Sequence, residues 1–147
     1  MVYTVTFNPA VDYIVHTKQL IAGATNRSDS EEIYFGGKGI NVSIVLSELG
    51  VKSKALGFVA GFTGEAIEKG VAEKGIDADF VHLNEGFSRI NVKIKSGEET
   101  ELNGQGPKIN DEAIRELYAK LDEIQDGDTL VLSLIHISEP TRLQLIS

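Results

Sequence analysis

One glycine-rich segment of this sequence carries residue types that bind anions. Residues 36–39 read Gly-Gly-Lys-Gly, and apolar residues follow at helical spacing from Val42 to Leu49. The segment predicts a tight turn into a helix N-terminus, where free N–H groups and the helix dipole attract phosphate or carboxylate. The alternative is a turn whose glycines meet backbone needs alone, since the spacing is neither a Walker A nor a dinucleotide fingerprint. The candidate anion ligands are Gly36, Gly37, Lys38 and Asn41.

Four other polar residues could bind hydroxyl groups or a further anion. Asp12 follows the β-branched run from Val2 to Phe7, and we expect it just beyond that strand's end, where ligands gather in α/β sheets. Arg27 is a candidate anion ligand, and Arg89 and Asn91 suit a phosphate or a hydroxyl. The alternatives are a turn aspartate, a surface arginine and a solvated edge strand.

The chain of 147 residues is long enough for one ordinary domain, and its composition is that of a soluble globular protein. A net charge of −8 argues against a nucleic-acid partner. The sequence contains no cysteine, which excludes disulfides and cysteine-based zinc sites, and no apolar run reaches membrane-spanning length. We therefore expect a cytoplasmic protein with no membrane partner.

Strand and helix patterns alternate along the chain, which predicts an α/β layered fold. Thr63 and Asn110 are the expected N-caps of helices over residues 64–74 and 111–124. Residues 88–95 alternate strictly between polar and apolar, which predicts a strand with one wet face, and the Ser-Gly-Glu-Glu link makes it a hairpin with residues 100–103. The other predicted strands cover residues 2–7, 13–20, 30–35, 54–59, 79–83 and 129–132.

The C-terminal residues 132–147 read unlike the rest of the chain. Leu-Ser-Leu-Ile-His-Ile-Ser-Glu-Pro-Thr-Arg is identified as the in-frame translation of a transposase-type sequencing adapter. We therefore expect residues 132–147 to be a non-native tail and residues 1–131 to be an incomplete domain. His136 falls in this tail and is set aside as a functional candidate.

Three ordered motifs resemble the PfkB (ribokinase-like) sugar kinases: residues 5–12, residues 36–43 and residues 55–64. Residues 88–94 and 99–107 are most similar to the members that act on fructose 1-phosphate. The resemblance implies the N-terminal part of a Rossmann-type sandwich with a small β-sheet lid, made of strands near 13–20, 30–35 and 88–103. It also implies a homodimer through the lid.

The resemblance implies transfer of the γ-phosphoryl of ATP, with Mg²⁺, to a ketohexose phosphate. Fructose 1-phosphate is the favoured acceptor and tagatose 6-phosphate the alternative. Asp12 would hold sugar hydroxyls, Arg27 and Arg89 the existing phosphate, and Asn91 and Asn103 would line the lid side. The family's Gly-Ala-Gly-Asp motif, which carries the catalytic aspartate, is absent from the sequence. We therefore assign no catalytic and no metal-binding residue here, and expect the chain itself to be inactive.

Two other classes of protein are alternatives to a sugar kinase. A non-catalytic module that binds a sugar phosphate remains an alternative reading of the short chain. A dinucleotide-dependent oxidoreductase is disfavoured, because Asn8-Pro9 follows the first strand where that class has a glycine fingerprint.

Overall fold

The structure, a computed structural model, describes residues 1–133. Its elements in chain order are β1 (Val2–Thr6), β2 (Ala10–His16), β3 (Ser30–Gly36), α1 (Lys38–Glu48), β4 (Ser53–Ala60), α2 (Gly61–Glu73), β5 (Asp77–Ala78), β6 (Val81–Leu83), β7 (Arg89–Ser96), β8 (Glu98–Asn103), α3 (Asp111–Leu121) and β9 (Thr129–Ser133). The predicted tail therefore lies outside the described residues from position 134 onward.

A parallel sheet forms the centre of the described fold. Its strand order is β5-β4-β1-β9, and β6 pairs with the later part of β4. Strand β1 shows why both faces are covered: Tyr3 and Val5 pack in the cluster with Leu117 of α3, whereas Thr4 bonds to Ser43 of α1. Helices α1 and α2 cover that second face through a cluster that includes Ile40, Ile67 and Val71. The α/β layered fold predicted from the sequence is confirmed.

A second sheet of four strands, in the order β3-β2-β7-β8, extends from the central sheet. We call it the lid sheet. Strand β2 pairs antiparallel with β3 and parallel with β7, and β7 pairs antiparallel with β8. The small lid implied by the resemblance is thus present among the described residues.

The lid sheet is polar on one face and apolar on the other. The strand register aligns Tyr34, Asp12, Asn91 and Asn103 in one row across the four strands. Side chains alternate along a strand, so this row and its even-spaced neighbours form the polar face. The opposite face holds Val11, Val15, Ile33, Phe35, Ile90, Val92, Ile94 and Leu102.

Two contacts attach the lid sheet to the rest of the molecule. Ser88, directly before β7, accepts through Oγ from the N–H of Ala60, and its carbonyl accepts from Thr63 Oγ1 at 2.7 Å. On the other side, the ring of Phe35 lies against Gly70 of α2, where any added Cβ would overlap it. The base of the lid is therefore fixed by buried packing and by hydrogen bonds.

Several predicted boundaries were wrong. The strand placed at residues 13–20 runs from Ala10 to His16, so Asp12 lies within a lid strand instead of just beyond the end of β1. The register with β3 and β7 decides this, since it begins at Ala10. Thr63 does not cap α2, because the helix begins at Gly61 and the Thr63 hydroxyl donates to Ser88.

Other predictions fared better. Asn110 caps α3 as expected, accepting from the N–H of Ala113 at 2.8 Å, although the helix ends at Leu121. Gly50 adopts the left-handed conformation (φ 77°) just past α1, where a helix C-terminus favours glycine. The strand expected at residues 79–83 is shorter, as β6 covers only Val81–Leu83, and a separate two-residue strand, β5, precedes it at Asp77–Ala78. Among residues 1–133, none of the helices combines the length and apolarity needed to cross a bilayer.

Candidate functional site

Asp12 and Asn91 form the centre of a polar cluster at the base of the lid sheet. They are direct register partners on β2 and β7, and Asn91 Nδ2 donates to Asp12 Oδ1 at 3.1 Å. Asp12 is half-buried and Asn91 is only 8% exposed. A carboxylate held in this way, with Oδ2 in the space beside Gly36, can accept hydrogen bonds from hydroxyl groups.

Gly36 leaves the space that the Asp12 carboxylate occupies. A Cβ added at Gly36 would overlap Asp12 Oδ2, so any side chain there would displace the carboxylate. Gly36 ends β3 and pairs with Ala10, which brings the glycine segment to the same end of the lid sheet as Asp12. The structure thus brings the two candidate residues Asp12 and Gly36 together.

Gly37 and Gly39 allow helix α1 to start against the carboxyl end of β1. Gly37 has φ 135°, and a Cβ on it would lie 2.5 Å from Thr6 Cγ2. A Cβ on Gly39 would lie 2.8 Å from the carbonyl oxygen of Val5. Larger residues would therefore push the helix away from the strand.

The first turn of α1 presents donors that suit an anion. Thr6 Oγ1 accepts from the N–H of Ile40 at 3.0 Å, which accounts for one first-turn donor. The N–H groups of Lys38 and Gly39 precede the first intrahelical bond, from Asn41 to the carbonyl of Gly37. Lys38 and Asn41 are both exposed. The segment thus has the helix-terminal geometry that favours a phosphate.

Arg89 lies beside this segment, on the other side of Ala10 from Gly36. Its Nε donates to the carbonyl of Asn8 at 3.0 Å, which fixes the plane of the guanidinium group. The Nη atoms carry the remaining donors, and these can form paired hydrogen bonds to phosphate oxygens. Arg89 is half-buried, so its charge is only partly screened by water.

The loop after β8 closes the cluster, and Asn103 is the only candidate site residue that the sequence indicated in the similar segment 99–107. Asn103 is the register partner of Asn91 and is exposed. The N–H of Gly104 donates to Asn91 Oδ1 at 3.2 Å, and Asn8 Nδ2 donates to the carbonyl of Gln105 at 2.9 Å. The run Asn-Gly-Gln-Gly could have indicated this loop from the sequence, because closely spaced glycines mark tight backbone contacts. Gly106 has a positive φ of 84°, and a Cβ on it would overlap the side chain of Asn8.

Arg27 is not brought to this cluster in the described chain. It lies in the exposed connection between β2 and β3, where its carbonyl accepts from Thr17 Oγ1 at 3.3 Å. Asp12 and His16 are four residues apart on β2, so this end of the lid sheet is ~13 Å from Asp12 at ~3.3 Å per residue. The role predicted for Arg27 stays a prediction.

The outer part of the polar face carries a hydrogen-bonded set around Glu32. Tyr34 Oη donates to Glu32 Oε2 at 2.6 Å, and His16 Nε2 lies 2.7 Å from Glu32 Oε1. The bond from Tyr34, followed by that with His16, lowers the pKa of the Glu32 carboxyl. The same bond raises the pKa of the Tyr34 phenol. The bond to Glu32 therefore holds the Tyr34 phenol, although the Tyr34 backbone is the register partner of Asp12.

The acidic and histidine side chains of the described residues do not converge on a metal site. Across residues 1–133, no group of three or more His, Asp or Glu side chains is arranged to hold one. The cluster around Asp12 has a single carboxylate with amide and guanidinium neighbours. It therefore fits hydroxyl and phosphate groups, and not Mg²⁺.

Known proteins similar to this chain are carbohydrate kinases, which agrees with a site suited to hydroxyl and phosphate groups. The family model described as "pfkB family carbohydrate kinase" matches residues 5–143. A 1-phosphofructokinase of Bacillus subtilis is 50% identical over 133 residues, covering 90% of this chain and 44% of the relative. A D-tagatose-1-phosphate kinase of Bacillus licheniformis is 38% identical and is covered over 52% of its length, with 99% of this chain.

A solved structure supports the same grouping. The phosphofructokinase-2 of Escherichia coli, in complex with substrates and products, superposes with a TM-score of 0.86 at 28% identity. The match covers 99% of this chain and 49% of that one. The chain therefore spans about half the length of the relatives it matches.

Proposed function

The chain belongs to the pfkB family of carbohydrate kinases, and from this premise we propose that the full-length protein phosphorylates a ketohexose phosphate with ATP. Fructose 1-phosphate is the proposed acceptor and fructose 1,6-bisphosphate the product. The observation that carries the proposal is the grouping of Asp12, Gly36 and Arg89 at the base of the lid, beside the first turn of α1.

Each part of this grouping has a chemical task in the proposed reaction. Asp12 accepts hydrogen bonds from the sugar hydroxyls, and Asn103 contributes an amide from the lid side. Arg89 and the first-turn N–H groups of α1 hold the phosphate that the sugar already carries. Phosphoryl transfer depends mainly on positioning and on stabilisation of charge, so fixing both ends of the acceptor orients the hydroxyl that reacts.

ATP and Mg²⁺ supply the phosphoryl group and its charge neutralisation in the proposed reaction. No described residue is assigned to either, because the cluster around Asp12 does not fit a metal ion. The Gly-Ala-Gly-Asp motif is also absent from the sequence. We therefore propose that the 147-residue chain binds the acceptor and does not turn it over.

The acceptor can be tested directly on the chain. Isothermal titration of the purified 147-residue chain with fructose 1-phosphate, tagatose 6-phosphate and tagatose 1-phosphate should show the tightest binding for fructose 1-phosphate. Free fructose is the matched control, because it lacks the group that Arg89 would hold. Tighter binding of a tagatose phosphate would replace the acceptor, and failure to bind any of the three would refute the proposal.

Catalysis needs a longer protein. A chimera can join residues 1–131 to the part of the Bacillus subtilis 1-phosphofructokinase that follows its matched segment, since the two share 50% identity over 133 residues. Production of ADP that depends on fructose 1-phosphate is the expected result. The 147-residue chain assayed alone should release ADP at the background rate.

Homodimerisation through the lid sheet is proposed as well. The apolar face of the lid exposes 60% of Ile33 and 72% of Leu102. This face is covered near its base, where Phe35 packs on α2. A second copy of the lid, presenting the same apolar face, would remove these side chains from water.

A further inference from the structure

Asn91 differs from the other polar residues of the site in how its side chain is used. It is 8% exposed, whereas Asn103, its register partner, is exposed. Both ends of its carboxamide bond to the protein: Nδ2 donates to Asp12 Oδ1 at 3.1 Å, and Oδ1 accepts from the N–H of Gly104 at 3.2 Å. These bonds use one of the two donors and one of the two acceptor sites of the amide, and burial leaves the others little access to a ligand.

We propose that Asn91 is a positioning residue, which fixes the Asp12 carboxylate and docks the loop at residues 104–106, and that it does not bind the sugar phosphate itself. This inference rests on the proposed function, since it assigns Asp12 to the sugar hydroxyls. It replaces the direct contact between Asn91 and the ligand that the sequence suggested.

The consequence extends beyond Asp12 because the loop is bonded onward. Asn8 Nδ2 donates to the carbonyl of Gln105, and the carbonyl of Asn8 accepts from Arg89 Nε at 3.0 Å. Asn91 therefore belongs to a series of hydrogen bonds that connects the carboxylate assigned to hydroxyls with the guanidinium assigned to phosphate. A sugar phosphate meets both groups at a fixed separation.

The residue type follows from the two partners. A carboxylate needs a donor and a backbone N–H needs an acceptor, and an amide supplies one of each without carrying charge. Asn91→Asp keeps an acceptor for Gly104 and replaces the donor to Asp12 by a second carboxylate. Asn91→Leu removes both contacts. Asn84→Asp, at an exposed position outside the cluster, introduces the same charge and is the matched control.

The test measures affinity of the 147-residue chain for fructose 1-phosphate at pH 7.5 and pH 5, each variant relative to the unchanged chain. At pH 7.5 Asn91→Asp should weaken binding about 10- to 100-fold, as expected for the loss of a hydrogen bond to a charged group. Two adjacent carboxylates share a proton as the pH falls. The protonated pair restores a donor to Asp12, so the ratio for Asn91→Asp should return toward 1 at pH 5.

Taking ratios cancels the titration of the ligand and of the neighbouring groups, which all the variants share. The charged or titratable groups around the pair on the packed elements are Tyr34 and Glu32 of β3, Arg89 and Lys93 of β7, Glu101 of β8 and Lys38 of α1. Asn91→Leu should bind weakly at both pH values, and Asn84→Asp should bind as the unchanged chain does. A purely structural role for Asn91 would give no recovery at pH 5 in the Asp variant.

Normal affinity of Asn91→Asp at pH 7.5, or a ratio that does not change with pH, would overturn the assignment to Asp12. The loop contact is tested without ligand, by amide hydrogen exchange at Gly104. The Gly104 N–H also donates to the carbonyl of Ile90 at 3.2 Å, so it exchanges only when the loop opens and both bonds are broken. Opening, and with it exchange, should be about 10-fold faster in Asn91→Leu, where the loop is held by one bond fewer, and close to normal in Asn91→Asp. Equal exchange in all the forms would overturn the docking of the loop. If the unchanged chain binds no sugar phosphate, the proposed function fails while this exchange result still decides the loop contact.

Discussion

Thr6 Oγ1 accepts a hydrogen bond from the N–H of Ile40 at 3.0 Å, which joins the carboxyl end of β1 to the first turn of α1. Thr6 is 5% exposed and Ile40 is fully buried. The bond satisfies a helix-terminal donor that has no intrahelical partner. It also sets where the neighbouring N–H groups of Lys38 and Gly39 lie, and these are the donors assigned to a phosphate.

Removing this hydroxyl should destabilise the chain. Thr6→Val keeps the shape of the side chain and leaves the N–H of Ile40 buried without an acceptor, at a cost of about 1–3 kcal/mol in the free energy of unfolding. Thr6→Ser retains the hydroxyl and serves as the control. Urea denaturation followed by circular dichroism measures both, and a Thr6→Val variant as stable as the unchanged chain would show that the bond contributes nothing.

Gly36→Ala should abolish binding of the sugar phosphate while leaving most of the fold intact. The new Cβ would overlap Asp12 Oδ2 and force the carboxylate out of its position beside Asn91. Gly23→Ala is the control, because its Cβ would meet no atom within 4 Å and only the positive φ of 78° opposes it. Calorimetric titration with fructose 1-phosphate checks the result. Undiminished affinity in Gly36→Ala would argue against Asp12 as a ligand.

Self-association through the lid should be sensitive to charge at Leu102. Leu102→Glu places a carboxylate on the apolar lid face and should shift the chain toward monomer in sedimentation velocity experiments. Leu49→Glu is a matched control, since Leu49, the residue directly after α1, is also a leucine that is 72% exposed, on a different surface. A dimer that survives the change at Leu102 would place self-association elsewhere, and an unchanged chain that stays monomeric at high concentration would contradict the proposed dimer.

Acid should weaken the outer part of the lid through Glu32. Its pKa is lowered in the folded chain, chiefly by the bond from Tyr34, so its contribution to stability is present above the ordinary pKa of 4.5 and is lost as the pH falls through the lower, folded value. The thermal midpoint of the chain should exceed that of Glu32→Gln at pH 7, and the two should converge near pH 3. A difference that persists at pH 3 would point to packing and not to the carboxylate charge.

Much of the fold could be predicted from local patterns. The alternation at residues 88–95 predicted β7 because a half-buried strand requires a period of two, and Asn110 predicted the start of α3 because its side chain can accept from the first turn. Boundaries failed where pairing with distant strands decides them. The strand containing Asp12 begins at Ala10 because β3 and β7 pair with it there, and neither partner is visible from residues 8–20 alone.

The sequence alone determined the α/β class, the family resemblance and the glycine segment at the start of α1, because these depend on composition, spacing and the conformational freedom of glycine. The tertiary structure alone decided which candidates meet. It aligned Asp12 with Asn91 across two strands 79 positions apart, added Asn8 and Gly104 to the same cluster, and placed Arg27 at the far end of the lid. Strand register causes these outcomes, and register depends on contacts between segments that are distant along the chain.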